Sequence, residues 1–407
     1  MKCSTQKSRK TIVIGMGCVT AAGLTLEQNL EHLFSKDQNI CLPSRFSTDH
    51  NPPYPVFEVR PLDSNSIYTP EQQGMISGLS LTCRFMIEAA AMAIVQAGLL
   101  PDWFESKRVG VCVGTSVGCT PNSVPFYRDF RLGKKPDTSD FQRYLRSNPA
   151  ASLSDLLNLN GPVQTVNNAC ASGTDAVGIA AGWLRQGLCD MALAGGADEL
   201  SRVAYNGFAS LQILDHAPAR PFDENRGGLN LGEGAGMLLM ASENISKRFP
   251  CLGKVAGYGI CNDRYHLVAP HPQGRGLQAA LDQALYFAKF RPGDISFVNA
   301  HGTGTRDNDL VESRVLAEKL PGVPFFSTKG STGHTLGAAG AIEAIYTLAC
   351  LSRGEIAPSK GFEQPDSDLP CSPVRSCQSV SGHMAISESL AFGGHNSVLV
   401  LEKGDDI

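Results

Sequence analysis

The chain has 407 residues, of which 42% are hydrophobic, and a formal net charge of −4 at pH 7. This length is ample for a large hydrophobic core, and the mild negative charge gives no electrostatic reason to expect nucleic acid or an anionic membrane as a partner. The 13 cysteines are scattered and odd in number, and no Cys-x-x-Cys pair stands near a histidine. Neither a zinc site nor a disulfide framework is therefore predicted.

The N-terminal sequence does not have the pattern of a targeting or membrane-spanning segment. Residues 1–10 are basic, and the apolar run at 11–17 is too short and too interrupted by glycine for a signal peptide. Nowhere does the chain contain the ~20 consecutive apolar residues that a membrane-spanning helix requires. We therefore expect a soluble, cytoplasmic protein with reduced thiols.

Apolar runs bounded by glycine and polar clusters predict strands that alternate with helices. In the first part of the chain the predicted strands are 11–16, 109–114, 163–166, 190–196 and 234–240, and the predicted helices are 26–34, 81–98 and 170–187. The chain starts again near residues 241–254, with strands at 254–260, 295–300 and 395–401 and helices at 277–289 and 338–351. This alternation favours α/β layering with buried sheets, and the similar order of elements hints at an internal duplication.

Two long segments lie outside this alternation. Residues 42–75 are rich in proline and polar groups and are predicted to form a surface loop. Residues 119–150 are polar and in places basic, and they are predicted to be either a partner-facing surface or a solvated excursion. The basic side chains of this second segment include Arg128, Arg131, Lys134 and Lys135.

The stretch 167–176 contains the candidate nucleophile, Cys170. A strand that reads as buried, 163–166, leads into the cysteine, and small residues that open a helix follow at once. A thiol near a helix N-terminus meets unpaired backbone N–H groups and the positive end of the dipole, which favour the thiolate. The alternative is a buried structural cysteine, a common fate of a free thiol.

Three glycine-rich clusters follow Cys170, at 299–305, 327–340 and 392–396, and two of them contain His301 and His334. Each ends a predicted strand or opens a helix, where the carboxyl edge of a sheet usually forms its ligand site. A lone histidine beside glycine is often only a turn residue, but a thiol with two imidazoles suits acyl transfer and carbanion chemistry. The two histidines stand in separate loops and lack metal-ligand spacing.

These motifs resemble those of the β-ketoacyl-acyl-carrier-protein synthases, the elongating condensing enzymes of the thiolase superfamily. The resemblance runs from the first strand to the last and rests on the order Cys…His…Lys…His…Phe-Gly-Gly. It implies an α/β, thiolase-like, five-layered αβαβα fold with two duplicated halves. The N-terminal half with the nucleophile would span residues 1–245, and the C-terminal half with the histidine pair would span 246–407.

The resemblance also implies an acyltransferase activity. Cys170 would take an acyl chain as a thioester, and the backbone N–H groups of Cys170 and Phe392 would hold the oxyanion. After malonyl-acyl-carrier-protein binds and loses CO₂, His301 and His334 would stabilise the enolate, which attacks the thioester and yields a 3-oxoacyl product. No metal and no organic cofactor is expected, since the substrates are carried on phosphopantetheine or coenzyme A.

Further residues match positions of this family by the same resemblance. Lys329 would support the second histidine electrostatically with Glu343 as its partner, although the two could also be an ordinary ion pair. Thr303 and Thr305 would bind the phosphopantetheine or malonyl group, although they could be mere turn residues. Phe392 would act as a gate beside the cysteine. The glycines assigned to substrate binding with the threonines are Gly393 and Gly394.

The chain departs from the usual Asn-Ser-Phe-Gly-Phe-Gly-Gly motif at residues 388–394. Ala391 lacks the freedom of glycine at positive φ, so the gating loop is expected to move differently. Glu388 replaces the asparagine, which puts the contacts of that residue in doubt. The segments 197–200, 206–208 and 228–233 look more like specialised synthases of polyene-type or polyketide pathways than like general fatty-acid enzymes.

The expected partners are an acyl carrier protein and a second synthase-like chain, usually in a homodimer. The chain could instead be the active half of a heterodimer with a non-catalytic chain-length partner, which itself would lack the nucleophile. A degradative thiolase is disfavoured, because it would carry a second cysteine in the loop that here holds Phe392 and His395. Acyl chain length depends on the depth of a packed pocket and cannot be read from a motif.

Overall fold

The computed structural model describes residues 10–62, 67–118 and 120–404. The strands in these ranges are β1 (Thr11–Thr20), β2 (Val109–Gly114), β3 (Val163–Val166), β4 (Met191–Asp198), β5 (Gly234–Ser242), β6 (Gly253–Asn262), β7 (Ile295–Asn299), β8 (Phe325–Phe326), β9 (Glu355–Ile356), β10 (Gln378–Ser379), β11 (Met384–Ala391) and β12 (His395–Lys403). The α-helices are α1 (Leu26–Phe34), α2 (Pro70–Ser77), α3 (Leu81–Gln96), α4 (Val124–Arg131), α5 (Ser139–Arg146), α6 (Pro149–Leu156), α7 (Ser172–Gln186), α8 (Arg202–Ser210), α9 (Glu243–Ser246), α10 (Arg275–Ala288), α11 (Arg306–Lys319), α12 (Lys329–Thr332) and α13 (Ala339–Arg353).

The main sheet repeats one topology twice. Its strand order is β3-β2-β4-β5-β1-β6-β12-β11-β7-β8, so the central neighbours are β1 and β6. When the strands of each half are numbered along the chain, with the short β9–β10 sheet left aside, both halves read 3-2-4-5-1 from the edge inward. The parallel and antiparallel pairings also correspond, with β2–β4 and β7–β11 parallel and β4–β5 and β11–β12 antiparallel. The predicted α/β fold with duplicated halves is confirmed, whereas the boundary at 245/246, which falls inside α9, stays a prediction.

The helices form three layers around the two halves of this sheet. The central layer consists of α7 and α13, whose apolar side chains share one core with strands of both halves. Helix α3 covers β1 and β5 on one outer side, and α10 covers β6 and β12 on the other. None of the helices in the described residues is long and apolar enough to cross a membrane.

The two central helices begin in close contact because the residues there are small. A Cβ on Gly173 in α7 would lie 2.8 Å from the carbonyl oxygen of Gly337, and a Cβ on Gly340 in α13 would lie 1.8 Å from Thr174 Oγ1. This close approach requires glycine at both positions. As a result, the loop before α7 and the loop before α13, which carry Cys170 and His334, meet at one edge.

The two segments that lacked a clear pattern are more ordered than the sequence predicts. Residues 42–75 are not a purely surface loop, because Val56 and Phe57 are buried and Phe57 N–H donates to Leu231 O at 2.9 Å. Residues 120–150 contain α4, α5 and the beginning of α6. Strand β3 lies at the sheet edge, and Val163 is exposed rather than buried. Short apolar runs without periodicity do not reveal which side of the chain is covered.

A buried carboxylate connects the two halves beside the catalytic loops. Asp198, at the end of β4, accepts the Thr115 hydroxyl at 2.6 Å and Gly337 N–H at 2.7 Å. It also accepts three successive backbone N–H groups, those of residues 116–118, at 2.7–3.1 Å. Burial raises the pKa of this carboxyl, and the hydrogen bonds oppose that shift. One side chain therefore holds the loop after β2 against the start of α13.

We expect Asp198→Asn to destabilise the protein by roughly 2–4 kcal/mol, because an amide presents one acceptor oxygen and leaves buried N–H groups without a partner. Urea unfolding followed by circular dichroism measures the change. Asp190→Asn is the matched control and should cost much less, since Asp190 forms a solvent-exposed pair with Arg108. Equal losses in the two variants would contradict the role given to Asp198.

Candidate active site

A strained turn presents Cys170. The turn between β3 and α7 has Ala169 at φ 49°, in the left-handed region that alanine rarely adopts. Ser172 Oγ stabilises it by accepting Asn168 N–H at 2.8 Å and donating to Ala169 O at 2.6 Å. Cys170 is 4% exposed, so its sulfur lies in protein rather than in solvent.

His334 is in contact with the sulfur, and its tautomer follows from its other hydrogen bond. Its Nε2 lies 3.1 Å from Cys170 Sγ. Its Nδ1 accepts the backbone N–H of Leu336 at 3.2 Å, so the neutral ring carries its proton on Nε2. Leu336 itself has φ 54°, a second strained residue beside the site. His334 therefore donates toward the sulfur and toward any atom bound there.

His301 has the same tautomer for a different reason. Its Nδ1 lies 3.1 Å from Lys329 Nζ, whose ammonium can only donate, so the proton of the neutral ring is on Nε2. The two imidazole rings are 5.3 Å apart between centroids and nearly perpendicular. The carboxyl of Glu312 holds the backbone of this loop, accepting His301 N–H and Gly302 N–H. The two histidines thus present two N–H donors to one space.

Lys329 contacts the first histidine and not the second. Besides the ring of His301, its ammonium donates to His301 O and to Glu343 Oε1, the latter at 2.6 Å. The predicted pairing with Glu343 is present. The direct contact of Lys329 is with His301, and Lys329 acts on His334 through its charge alone. Its electrostatic support of His334 in catalysis stays a prediction.

Burial sets the protonation of all three reactive groups. It lowers the pKa of His301 and of His334 well below 6.5, and the positive charge of Lys329 lowers both further, so both rings are neutral. Burial also raises the pKa of Cys170 to about 12, with the Lys329 charge and Phe392 N–H acting in the opposite direction. The sequence predicts that the helix N-terminus favours the thiolate, whereas burial in this closed site acts in the opposite direction and favours the neutral thiol.

Two cavities meet at Cys170. The first, of about 440 Å³, is lined by both histidines and by the predicted threonines Thr303 and Thr305, whose hydroxyls lie 2.8 Å apart. The second, of about 450 Å³, is mainly apolar, and its lining includes Val117, Ala204, Leu211 and Leu336. The sulfur therefore borders both cavities, here called the polar cavity, after its histidine and threonine groups, and the apolar cavity.

Phe392 and Phe208 form part of the wall of both cavities. Their rings stack with centroids 5.4 Å apart, and Phe208 also meets the ring of His334 edge-on at 6.3 Å. The sequence did not single out Phe208, Glu312 or Asp198 as site residues. Asp198 and Phe208 lie in the segments 197–200 and 206–208, which the sequence related only to the type of pathway, and no motif marks Glu312. Their positions in the site follow from packing between distant segments.

The glycines after Phe392 have a conformational place in the site. Gly393 and Gly394 have φ of 80° and 75°. Their backbone groups form hydrogen bonds with the segment 262–267, and neither glycine lines either cavity. Their assignment to substrate binding is not supported. Ala391 has φ −122° at the end of β11, so alanine is unstrained there and the departure from glycine has no conformational cost.

Comparison with known proteins agrees with this geometry. The family model described as "Beta-ketoacyl synthase, N-terminal domain" matches residues 8–244, and that described as "Beta-ketoacyl synthase, C-terminal domain" matches 252–363. A 3-oxoacyl-[acyl-carrier-protein] synthase 2 from Synechocystis is 30% identical, with 98% of this chain and 99% of the relative covered. A 3-oxoacyl-[acyl-carrier-protein] synthase 2 from Staphylococcus aureus is also 30% identical, with 98% of this chain and 99% of the relative covered.

Solved structures with this fold include ketosynthases with partner chains. The ishigamide ketosynthase/chain length factor has a TM-score of 0.90 at 28% identity, with 97% of this chain and 99% of that chain covered. The ketosynthase ApeO in complex with its chain length factor ApeC, from Xenorhabdus doucetiae, gives 0.82 at 30% identity, with 98% and 99% covered. The sequence and the structure together show that this chain belongs to the β-ketoacyl synthase family, acyltransferases of the thiolase superfamily.

Proposed function

We propose that this chain is a 3-oxoacyl-[acyl-carrier-protein] synthase that joins an acyl group on Cys170 to a malonyl unit with loss of CO₂. The observation that carries this proposal is the contact of His334 Nε2 with Cys170 Sγ at 3.1 Å, with the Nε2–H of His301 facing the same space. A thiol nucleophile beside two neutral N–H donors suits a reaction in which negative charge develops on a thioester oxygen.

The first step is transfer of the acyl group to Cys170. The sulfur attacks the acyl carbonyl carbon, the bond to the carrier thiol breaks, and the cysteine proton ends on the departing sulfur. The tetrahedral oxyanion would be held by the backbone N–H groups of Cys170 and Phe392. Phe392 N–H already lies against the sulfur, which supports this assignment. The apolar cavity lined by Ala204 and Leu211 would receive the acyl chain.

The second step is decarboxylation followed by carbon–carbon bond formation. The malonyl C–CO₂ bond breaks and its electron pair forms an enolate, whose oxygen accepts from the Nε2–H groups of His301 and His334. The enolate carbon attacks the thioester, and the bond to Cys170 Sγ breaks to release the 3-oxoacyl product and the Cys170 thiolate, which takes up a proton from solvent. Because both rings are neutral, they act as hydrogen-bond donors and not as acids. Thr303 and Thr305, in the polar cavity, would bind the malonyl or phosphopantetheine group.

Supporting roles follow from the contacts. Lys329, paired with Glu343, would keep His301 in its Nε2–H tautomer. Phe392 would gate the passage between the cavities together with Phe208. The substrates would arrive on the phosphopantetheine of an acyl carrier protein, and no further cofactor is proposed. A reducing compartment such as the cytoplasm is proposed, because the 13 cysteines are scattered and odd in number.

A second synthase-like chain is the proposed structural partner. Helices α4 and α5 have no buried residue, and large apolar side chains stand exposed there, among them Tyr127, Phe130 and Leu145. Such a face on a folded protein indicates an interface. Two similar ketosynthases have solved structures that include chain length factors. These relatives favour a heterodimer in a specialised polyene or polyketide pathway as the alternative to a homodimer.

We expect Cys170→Gln to abolish condensation and to spare decarboxylation of malonyl-acyl-carrier-protein, since the enolate depends on the histidines and not on the nucleophile. In the Cys170→Gln background, His301→Ala and His334→Ala should each lower decarboxylation by about 10²–10³-fold through loss of one donor. Release of labelled CO₂ and intact mass of acylated protein measure the two steps. Undiminished condensation by Cys170→Ala would overturn the proposal.

The raised pKa of Cys170 predicts the pH dependence of its alkylation. Below a pKa of about 12 the thiolate fraction rises tenfold per pH unit, so the iodoacetamide rate should climb steadily between pH 7 and 9.5. Mass spectrometry of the Cys170 peptide measures the rate, and the exposed Cys377 provides the internal control. A plateau for Cys170 beginning near pH 7 would show that the thiolate is the resting form.

We expect the chain alone to dimerise through α4 and α5. The double variant Tyr127→Ser/Phe130→Ser should weaken association at least about tenfold, because it removes exposed aromatic anchors. Sedimentation velocity measures the dimer fraction, and Tyr286→Ser/Phe287→Ser on α10 removes two exposed aromatics from another face as the control. A wild-type chain that stays monomeric would favour the heterodimer.

A further inference from the structure

Behind His301, four ionisable side chains are buried together without a balance of charge. Lys329, Glu312, Glu343 and Glu388 are all at most 2% exposed. Three carboxylates and one ammonium would leave two uncompensated negative charges in this interior, where unpaired charge is strongly disfavoured. At least one carboxyl must therefore be neutral.

The contacts distinguish the three acids. Glu343 pairs with Lys329 at 2.6 Å. Glu312 accepts Gly302 N–H at 2.8 Å and the Asn308 side-chain amide at 3.1 Å, in addition to His301 N–H. These contacts stabilise both as carboxylates.

Glu388 has no such stabilisation. Neither of its carboxyl oxygens receives a hydrogen bond from a described residue. It lies on β11 in alternation with Met384, Ile386 and Leu390, which pack in the apolar core between the sheet and α10 and α11. Its environment therefore favours the neutral form.

The carboxyl of Glu388 faces that of Glu312 on α11. Burial, followed by the negative charge of Glu312, raises the pKa of Glu388 well above the ordinary carboxyl range. Two carboxylates have no hydrogen to share and would repel, whereas one proton between them makes a charge-assisted hydrogen bond. The lack of a donor to Glu388 is explained if Glu388 is itself the donor.

We propose that Glu388 is a positioning residue that stays protonated and donates its O–H to the Glu312 carboxylate, which in turn holds the backbone of His301 and Gly302. Glu388 stands where the related motif has a neutral asparagine, and the protonated acid preserves that neutrality. Its proton lets Lys329 remain paired with Glu343 and with His301 Nδ1.

The groups that face this proton come from several elements. They are Glu312 on α11, Glu343 on α13, Lys329 on α12, Cys371, and His301 after β7. Loss of the proton at high pH adds a negative charge beside Glu312. The added charge also attracts the ammonium of Lys329, whose contact with His301 Nδ1 keeps His301 in its Nε2–H tautomer.

Infrared spectroscopy tests the protonation directly and does not depend on the proposed function. The wild-type protein at pH 7 should show a carbonyl stretch of a buried, protonated carboxylic acid that Glu388→Gln removes. Glu199→Gln is the matched control and should leave the Glu388 band in place, since Glu199 is a half-buried acid with a raised pKa that contacts Thr82 instead. If Glu388→Gln removes no such band from the wild-type spectrum, the proposal is wrong.

Stability against pH gives a second test in the same variants. Because the folded state raises the pKa of Glu388, it binds this proton more tightly than the unfolded chain does. The stability from this proton is complete below the unfolded pKa of about 4.3 and is lost as pH rises toward the folded pKa. Relative to Glu388→Gln, the wild-type folding equilibrium constant should fall by up to about tenfold per pH unit across that window. Parallel curves would count against the proposal.

Kinetics connect the proton to catalysis, and this part rests on the proposed function. In the Cys170→Gln background, Glu388→Leu leaves Glu312 without its donor and should lower kcat for decarboxylation about 10–100-fold with little change in KM. Glu388→Gln should restore most of kcat and remove any alkaline loss, while Glu199→Gln should have no effect. Wild-type activity that requires added Na⁺ or K⁺, with Glu388→Gln abolishing that requirement, would assign the neutralising charge to a bound cation and overturn the proposal.

Discussion

The ammonium of Lys329 is the interaction on which the site depends. It gives its three hydrogens to Glu343, to His301 O and to His301 Nδ1, so none is left for solvent or substrate. The contact with Nδ1 places the proton of His301 on Nε2, and the positive charge disfavours protonation of both imidazoles. One buried ion pair thereby converts two potential acids into two neutral donors. This state suits stabilisation of an enolate, which needs hydrogen bonds and no net proton transfer.

The duplicated fold explains why these groups meet at all. In both halves a set of strands ends at the same edge. The close contacts at Gly173 and Gly340 allow α7 and α13 to begin side by side there. One helix start carries the thiol and the other follows His334. Asp198 then connects the loops of the two halves through a single carboxylate. The strained backbone conformations of Ala169 and Leu336 are tolerated because the contacts between the two halves hold both loops in place.

Burial has opposite consequences for the different ionisable groups of the site. It keeps the histidines neutral, which the proposed chemistry needs, but it also raises the pKa of Cys170, which a nucleophile does not need. The polar cavity and the apolar cavity converge on this sulfur, so an incoming thioester changes its surroundings when it binds. Behind the histidines, burial acts in the same way on Glu388, since it favours the uncharged form of an acid that has no ion-pair partner.

The sequence by itself predicted the main-sheet strands other than β8 and β11, the helices α1, α3, α7, α10 and α13, the fold class and the family, because apolar periodicity and the Cys, His and Phe-Gly-Gly motifs are local properties. It also identified some of the residues that line the polar cavity, namely Cys170, His301, His334, Thr303, Thr305 and Phe392. Only the tertiary structure decided which histidine Lys329 contacts, that Gly393 and Gly394 bond a neighbouring loop, and that Phe208 borders both cavities. Protonation belongs to the same class, since the pKa of Cys170 depends on how deeply distant segments cover it. Desolvation and contacts between remote residues have no signature in the order of amino acids.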